Sequence, residues 1–332
     1  MDYEQSEFDG CNYNTDVTGG SYNGSKQGTS FLSDLKNTSS VNMALFSGVT
    51  FSGNASMGLN LVHNDNGNYG NGVGNAADPL HQAGAATVTG CTITNNGGLG
   101  ASFAGGGGNG TGSTLFRILN NTITGSKSHA LNFVSGATAT GGTYKALVSG
   151  NIIGTAGVPN SGSAIGSGIV VTMQAQAGTV TITGNTIRAL YNGVGGFGSR
   201  GIDVEALGPV ATGLGSTPLD LVLINNDVDP QYAGTFPPYA IYVAADDQGS
   251  PSLIHAEIHG NTVPNLVACD SSCTASTGML WYEAINGGSG TLYNFGGNAT
   301  VNSELVNKNT GVTGKTTTQG PVVFGAQPAT VN

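Results

Sequence analysis

The sequence predicts an all-β chain wound as a right-handed parallel β-helix, and three observations carry that reading. The composition is one of many short strands joined by turns. An asparagine-centred motif recurs along most of the chain. A second apolar strand segment follows most copies of that motif.

Of 332 residues, 56 are Gly, while only 9 are basic and 19 acidic; ordinary globular domains carry about a quarter charged residues. Disorder would pair such a Gly content with high charge and few β-branched residues. Here Val, Ile and Thr arrive in short alternating runs, the signature of strands. A chain of this length is long for one compact core, but a solenoid grows by adding coils.

The motif is an apolar residue, two variable residues and an Asn. It reads FSGN at Phe51–Asn54, ITNN at Ile93–Asn96, ILNN at Ile118–Asn121 and VSGN at Val148–Asn151. It continues as ITGN at Ile182–Asn185, LINN at Leu223–Asn226, IHGN at Ile258–Asn261 and FGGN at Phe295–Asn298. Successive asparagines fall 42, 25, 30, 34, 41, 35 and 37 residues apart, and a recurrence of roughly 20–50 residues marks a solenoid. Before the Asn the pattern alternates: in TVTITGN, Val180 and Ile182 share one face and Thr179, Thr181 and Thr183 the other. Stacked coils would place all eight asparagines in one column, each amide bonding the next, as in other stacked β-structures.

The second strand reads GLNLVH at Gly58–His63, ALNFVS at Ala130–Ser135 and GIVVTM at Gly168–Met173. Later copies are GIDVEA at Gly201–Ala206, YAIYVA at Tyr239–Ala244 and MLWYEA at Met279–Ala284. Short segments after each Asn, such as Asn185–Ile187, supply a third strand. Three strands per coil give a three-sided parallel helix, and parallel crossovers are strongly right-handed. Residues 1–45 read as an N-terminal cap or first coils, with one helix-like stretch, SFLSDLKN; 46–301 read as the β-helix. Residues 302–332 read as a C-terminal extension, lying along the last coil or leading to a following domain. Loops at 154–167, 188–200, 229–238 and 264–277 follow the same strand and should crowd one side.

These repeats resemble those of the right-handed parallel β-helices of the pectate-lyase-like superfamily, over roughly Val49 to Val301. The resemblance implies the fold. It spans pectin lyases and hydrolases, epimerases, tailspikes, adhesin passenger domains and surface proteins, so it implies no single reaction. A polygalacturonase-like site would need NTD, DD and GHG in successive coils. Asn14-Thr15-Asp16 is present, Asp246-Asp247 lies far down the chain, and GHG is absent, so that mechanism is not carried over.

Charge and cysteine narrow the function classes. The net charge is -10, with three Arg and six Lys spread thinly, so no basic patch exists for phosphates and no nucleic-acid partner is expected. No apolar run approaches the ~20 residues of a membrane span. The start, MDYEQSEFDG, lacks signal-peptide regions and reads as the beginning of a mature or excised segment. The Asn/Thr/Ser/Gly-rich, Lys-poor surface suits an extracellular or cell-surface location. Cys269 and Cys273, in the polar loop ACDSSCT, suit a local disulfide or one half of a metal site; Cys91 falls on an inward position as a core thiol; Cys11 has no evident partner.

Chemistry must lie on outward positions. Placing Ile202, Val204, Ile241, Val243, Leu280 and Tyr282 inward leaves Asp203, Glu205, Tyr242, Trp281 and Glu283 outward, in water. They form two columns across three coils, Asp203–Tyr242–Trp281 and Glu205–Ala244–Glu283. Strands lie about 4.8 Å apart, which separates the Glu205 and Glu283 backbones by roughly 9.6 Å. Carboxyl groups about 6.5–9.5 Å apart suit an inverting glycosidase, with Asp203, Glu205 and Glu283 as candidate catalytic groups. Tyr242 and Trp281 are candidates to stack on sugars. A second outward set, His255, Glu257 and His259 with Asp220 beside it, has Zn-type ligands. It spans about 13 Å, too wide for one ion, so no metal or cofactor is expected. The leading functional expectation is a secreted or surface-displayed structural or adhesive β-solenoid that binds an extracellular polysaccharide or cell-surface partner, with self-association open. The alternative is a polysaccharide-active hydrolase or lyase.

Overall fold

The computed structural model describes residues 6–9, 12–24, 31–36, 40–64, 68–69, 85–107, 113–136, 142–174, 176–190, 200–208, 217–229, 239–246, 252–263, 279–312 and 317–331. These build a right-handed parallel β-helix of three all-parallel sheets, with ten, eleven and seven strands. One coil, for example, gives Ile169–Met173 to the first sheet, Ala177–Thr183 to the second and Thr186–Arg188 to the third. The next coil gives Ile202–Ala206, Thr217–Ile224 and Asp227–Asp229. Among the described residues, no helix is long and apolar enough to cross a membrane.

Period-two alternation decides which side chains enter the narrow interior. On the third sheet Phe51, Ile93, Ile123, Ile153, Ile187 and Val228 stack in one column, each fully buried. The second sheet stacks Phe46, Val88, Ile118, Val148, Ile182, Leu223 and Ile258 in the same way. Phe103 and Phe133 stack in register on the first sheet, ring centroids 5.0 Å apart. Tyr144 and Tyr282 enter this core because their hydroxyls find carbonyls: Tyr144 donates to Phe103 O at 2.7 Å and Tyr282 to Ile254 O at 3.0 Å.

The asparagine ladder stands at the corner between the second and third sheets. Nδ2 of Asn121, Asn151, Asn185, Asn226 and Asn261 each donates at 2.9 Å to the Oδ1 of the next coil's Asn, the last being Asn309. Each Oδ1 also accepts the backbone N–H of the preceding rung, and each Nδ2 also reaches a carbonyl inside the coil, as Asn185 reaches Val148 O at 2.9 Å. A buried amide with its hydrogen-bonding capacity used on both sides adds no unsatisfied polar group to the core.

The single column expected from the motif divides. Asn54 and Asn96 bond each other at the next corner, between third and first sheets. That column continues as Ser126 and Ser163, which bridge in register. The ladder rung before Asn121 is Cys91, whose N–H donates to Asn121 Oδ1 at 2.9 Å and whose thiol donates to Phe46 O. Asn298 is in neither column: the chain there turns into the helix Val301–Lys308, capped by Thr300, and Asn309 at its C-terminus takes the rung. Both corners share a local demand. The residue before each motif Asn at these corners, the helix-borne Asn309 apart, has a left-handed backbone, with φ +64° at Gly53 and Gly184, +55° at Asn95 and +54° at Asn120, which only Gly and Asn adopt readily. One signature therefore marks two different corners.

The helix-like stretch SFLSDLKN contains a strand instead, Phe31–Lys36, in the first sheet. Strands from residues 6–23 join all three sheets. Near the other end, Thr317–Gln319 and Val322–Gly325 extend the first and second sheets. Cys91 is free and buried, which raises its thiol pKa; Cys11, Cys269 and Cys273 lie outside the described residues. Of the long loops, 154–167 is described and joins the third sheet to the first. The segments 191–199 and 230–238 lie between the same two sheets in the chain, and 264–278 follows Thr262, which bridges to Asp227 of the third sheet; all three lie outside the described residues.

Asn185→Ala strands two donors of Asn151 and the Val148 carbonyl, so chemical denaturation should show a loss of about 3 kcal/mol, each buried unsatisfied group costing roughly 1–3 kcal/mol. Cys91→Asn should be tolerated within about 1 kcal/mol, because an amide there meets the Phe46 carbonyl and Asn121 Oδ1, as its ladder neighbours meet theirs.

Candidate functional site

The outer face of the first sheet brings the acidic and aromatic residues together in the expected register. Asp203 pairs with Tyr242 and Glu205 with Ala244; in the next coil Tyr242 pairs with Trp281 and Ala244 with Glu283. Ile202, Val204, Ile241, Val243, Leu280 and Tyr282 all face the core. The side chain of Trp281 lies outside the described residues.

The surroundings of these groups differ from the wet face expected. Tyr242 and Glu283 are 9% and 8% exposed, and the Asp203 side chain is 14% exposed. Glu205 retains 33%, so it is the most accessible carboxylate of the three. The reason is Arg200, which stands just before the alternating strand Ile202–Ala206. Its Nη1 lies 2.6 Å from Asp203 Oδ1 and 2.8 Å from Glu205 Oε1, and its Cζ lies 3.5 Å from the centroid of the Tyr242 ring. The Tyr242 hydroxyl in turn donates to Glu283 Oε1. One guanidinium thus bridges two carboxylates and covers one face of the aromatic ring, a charge-assisted and cation–π contact combined. The covered face is one that a sugar would otherwise stack on.

Arg200 is held at its backbone by the corner. Its N–H donates to Ser167 Oγ at 3.0 Å and its carbonyl accepts from Gly168 N at 3.0 Å. The following residue must be Gly, since a Cβ at Gly201 would lie 2.5 Å from the Ala240 carbonyl oxygen. The signal in sequence was the spacing RGIDVE: an Arg just before the strand, then carboxylates at alternate positions.

Burial shapes the acid–base chemistry. It raises Asp203 to about 6, outweighing Arg200, while the neighbouring Glu205 adds to the rise. Burial alone would lower Arg200, but Asp203, Glu205 and Tyr242 together raise it, so the guanidinium stays charged. Burial and the bond to Glu283 push the Tyr242 hydroxyl far up, so it remains a donor.

The second outward set lies on the second sheet. His255 Nδ1 is 3.0 Å from Asp220 Oδ1, its register partner. His259 Nε2 is 3.0 Å from Glu257 Oε1, and Gln327 Nε2 donates to Glu257 Oε2 at 2.9 Å. The His259 ring packs edge-on against Phe295, centroids 4.4 Å apart. These are two separate His–carboxylate pairs.

A carboxyl group whose folded pKa lies above its unfolded value stabilises the fold fully below the unfolded value, near 4, and loses that contribution as pH rises through about 6. Asn does not titrate. Asp203→Asn should therefore gain about 3 kcal/mol relative to the wild type from well below about pH 4 up to about pH 8. Paired denaturation curves across that range check it; a constant difference would remove the raised pKa.

Comparison of the chain with protein-family models, with curated proteins and with solved structures yields no match.

Proposed function

We propose that this chain is a secreted or surface-displayed β-solenoid with a structural or adhesive role, which contacts extracellular glycans through the outer face of its first sheet. The observation that carries the reading is the bonded network of Arg200, Asp203, Glu205, Tyr242 and Glu283. An inverting glycosidase needs one carboxylic acid free to protonate the leaving oxygen and another free to activate water. Here Asp203 and Glu205 share one guanidinium and Glu283 accepts from Tyr242. Such a network presents fixed donors and acceptors, the equipment of a binding face. The scarcity of Lys and the Asn/Thr/Ser/Gly-rich surface support an extracellular setting.

One observation favours the enzymatic alternative. A carboxyl group lifted to about 6 is suited to general acid work near neutral pH, and it stands two residues from Glu205, the most accessible carboxylate.

A glycan array probed with the purified chain tests the proposal. Binding to a defined glycan class is the expected result, and Trp281→Ala should weaken it at least tenfold, since an indole adds stacking surface that Ala lacks. An array without signal would overturn the glycan reading. If a bound glycan is also cleaved, Asp203→Asn, Glu205→Gln and Glu283→Gln should each abolish turnover with binding largely kept. Turnover retained in all three would remove these carboxylates as its catalytic groups, and no cleavage of any bound glycan would remove the hydrolase alternative.

A further inference from the structure

Outward residues of a solenoid sheet ordinarily meet water, yet one column on the second sheet does not. It runs in register from Leu45 through Arg117 and Thr181 to Val222 and Glu257. Every residue in it is buried, Val222 at 2%, Thr181 at 5% and Glu257 at 6% exposed. The flanking columns over the same three strands, Thr179–Asp220–His255 and Thr183–Ile224–His259, stay partly exposed. The covered footprint is therefore one chain wide, and it crosses the strands.

Over Thr181, Val222 and Glu257 the cover is the chain's own C-terminal segment. After the strand Val322–Gly325, Gln327 bonds Glu257, and the Val331 N–H donates to Thr181 Oγ1 at 3.0 Å. Glu257 and Thr181 sit two strands apart, about 9.6 Å, a distance that four extended residues span with slack. Pro328 and Val331 are buried by this contact. Because the segment crosses the strands, it does not join their ladder: among the described residues no backbone-to-backbone hydrogen bond ties 326–331 to the sheet. Among the described residues, two hydrogen bonds through side chains tie it to the sheet, and Pro328 and Val331 are its buried groups.

We propose that this covered column is a strap site, and that residues 326–331 of one copy can occupy it on a second copy of the chain, joining the two. Every contact made within one chain is available between two chains, because donor and receiver surfaces are present on each copy. That is the condition under which exchange of an element is a low-cost route to dimers. Strap exchange supplies the self-association a structural or adhesive solenoid uses, and it does not depend on the glycan reading of the first sheet.

Variants that each add one cysteine to the full chain, alongside its four native ones, test this. Thr181 Oγ1 and Val331 N are in contact, so cysteines at 181 and 331 come within disulfide reach. The chain carrying both Thr181→Cys and Val331→Cys should close an intrachain 181–331 disulfide when oxidised dilute. The two single variants, mixed at high concentration and then oxidised, should give a heterodimer with that same linkage, located by peptide mapping. Adding Glu257→Ala only to the chain that carries Val331→Cys loosens that chain's own strap and leaves the receiver intact, so heterodimer yield should rise severalfold. Failure of the double variant to close would overturn the strap site. Closure of the double variant without any heterodimer from the mixture would overturn exchange between copies.

Discussion

The rest of this structure depends on a buried side-chain amide that is satisfied by its own repeat. An amide inside a narrow apolar coil is costly unless its donors and acceptors are matched. Parallel stacking matches them: Asn151 gives its Nδ2 hydrogens to Asn185 and to Ile118 O, while its Oδ1 accepts from Asn121. The arrangement works at only one register. A slip of one residue would move every amide from the corner and turn every core side chain to the other face. The ladder thus imposes registry on strands whose ordinary pairing would tolerate sliding, and this matters most on the third sheet, where strands are two or three residues long.

Registry is also what makes a site from residues scattered through the chain. Asp203, Tyr242 and Glu283 are some 40 residues apart from one to the next, and adjacent strands bring them side by side. The loops between coils vary in length without disturbing this, because the strands on either side are pinned at the corners. A solenoid can therefore place chemistry on a rigid face while its connections change freely.

Much of this was legible in the sequence, for a physical reason. Alternation of Val and Ile with Thr reports which face is buried, and the IDVE, IYVA and LWYE segments carry enough apolar residues to fix the register of the first sheet. Where the sequence misled, two structures share one local signature. The Gly–Asn and Asn–Asn pairs mark a left-handed residue followed by a buried turn, and both corners of the coil require that. The short spacing of 25 residues between Asn96 and Asn121 was the sign that the motif had changed corners. Cys91 was hidden because a thiol fills the rung without resembling an amide. Arg200 was hidden because it lies just outside the strand, where alternation says nothing about direction. The segment 326–331 reads as a plain extension, since contacts that cross strands leave no period in a sequence.

These omissions have one cause. Alternation separates inward from outward and equates outward with wet. In this molecule the outward positions carrying the most specific contacts are those that are not wet. Glu283 is covered beside Tyr242, and Arg200 covers Tyr242 and Asp203; Glu257 is covered beside His259 and Gln327. A carboxylate at an outward position could reach water at no cost, so its burial requires partners that replace the solvent it loses. Inward burial is what any coil must do to fold. Outward burial needs a further group placed on top, an arginine in one case and the chain's own end in the other. That second requirement, which the winding of the coils alone does not impose, sets these two outward positions apart from the wetter columns beside them.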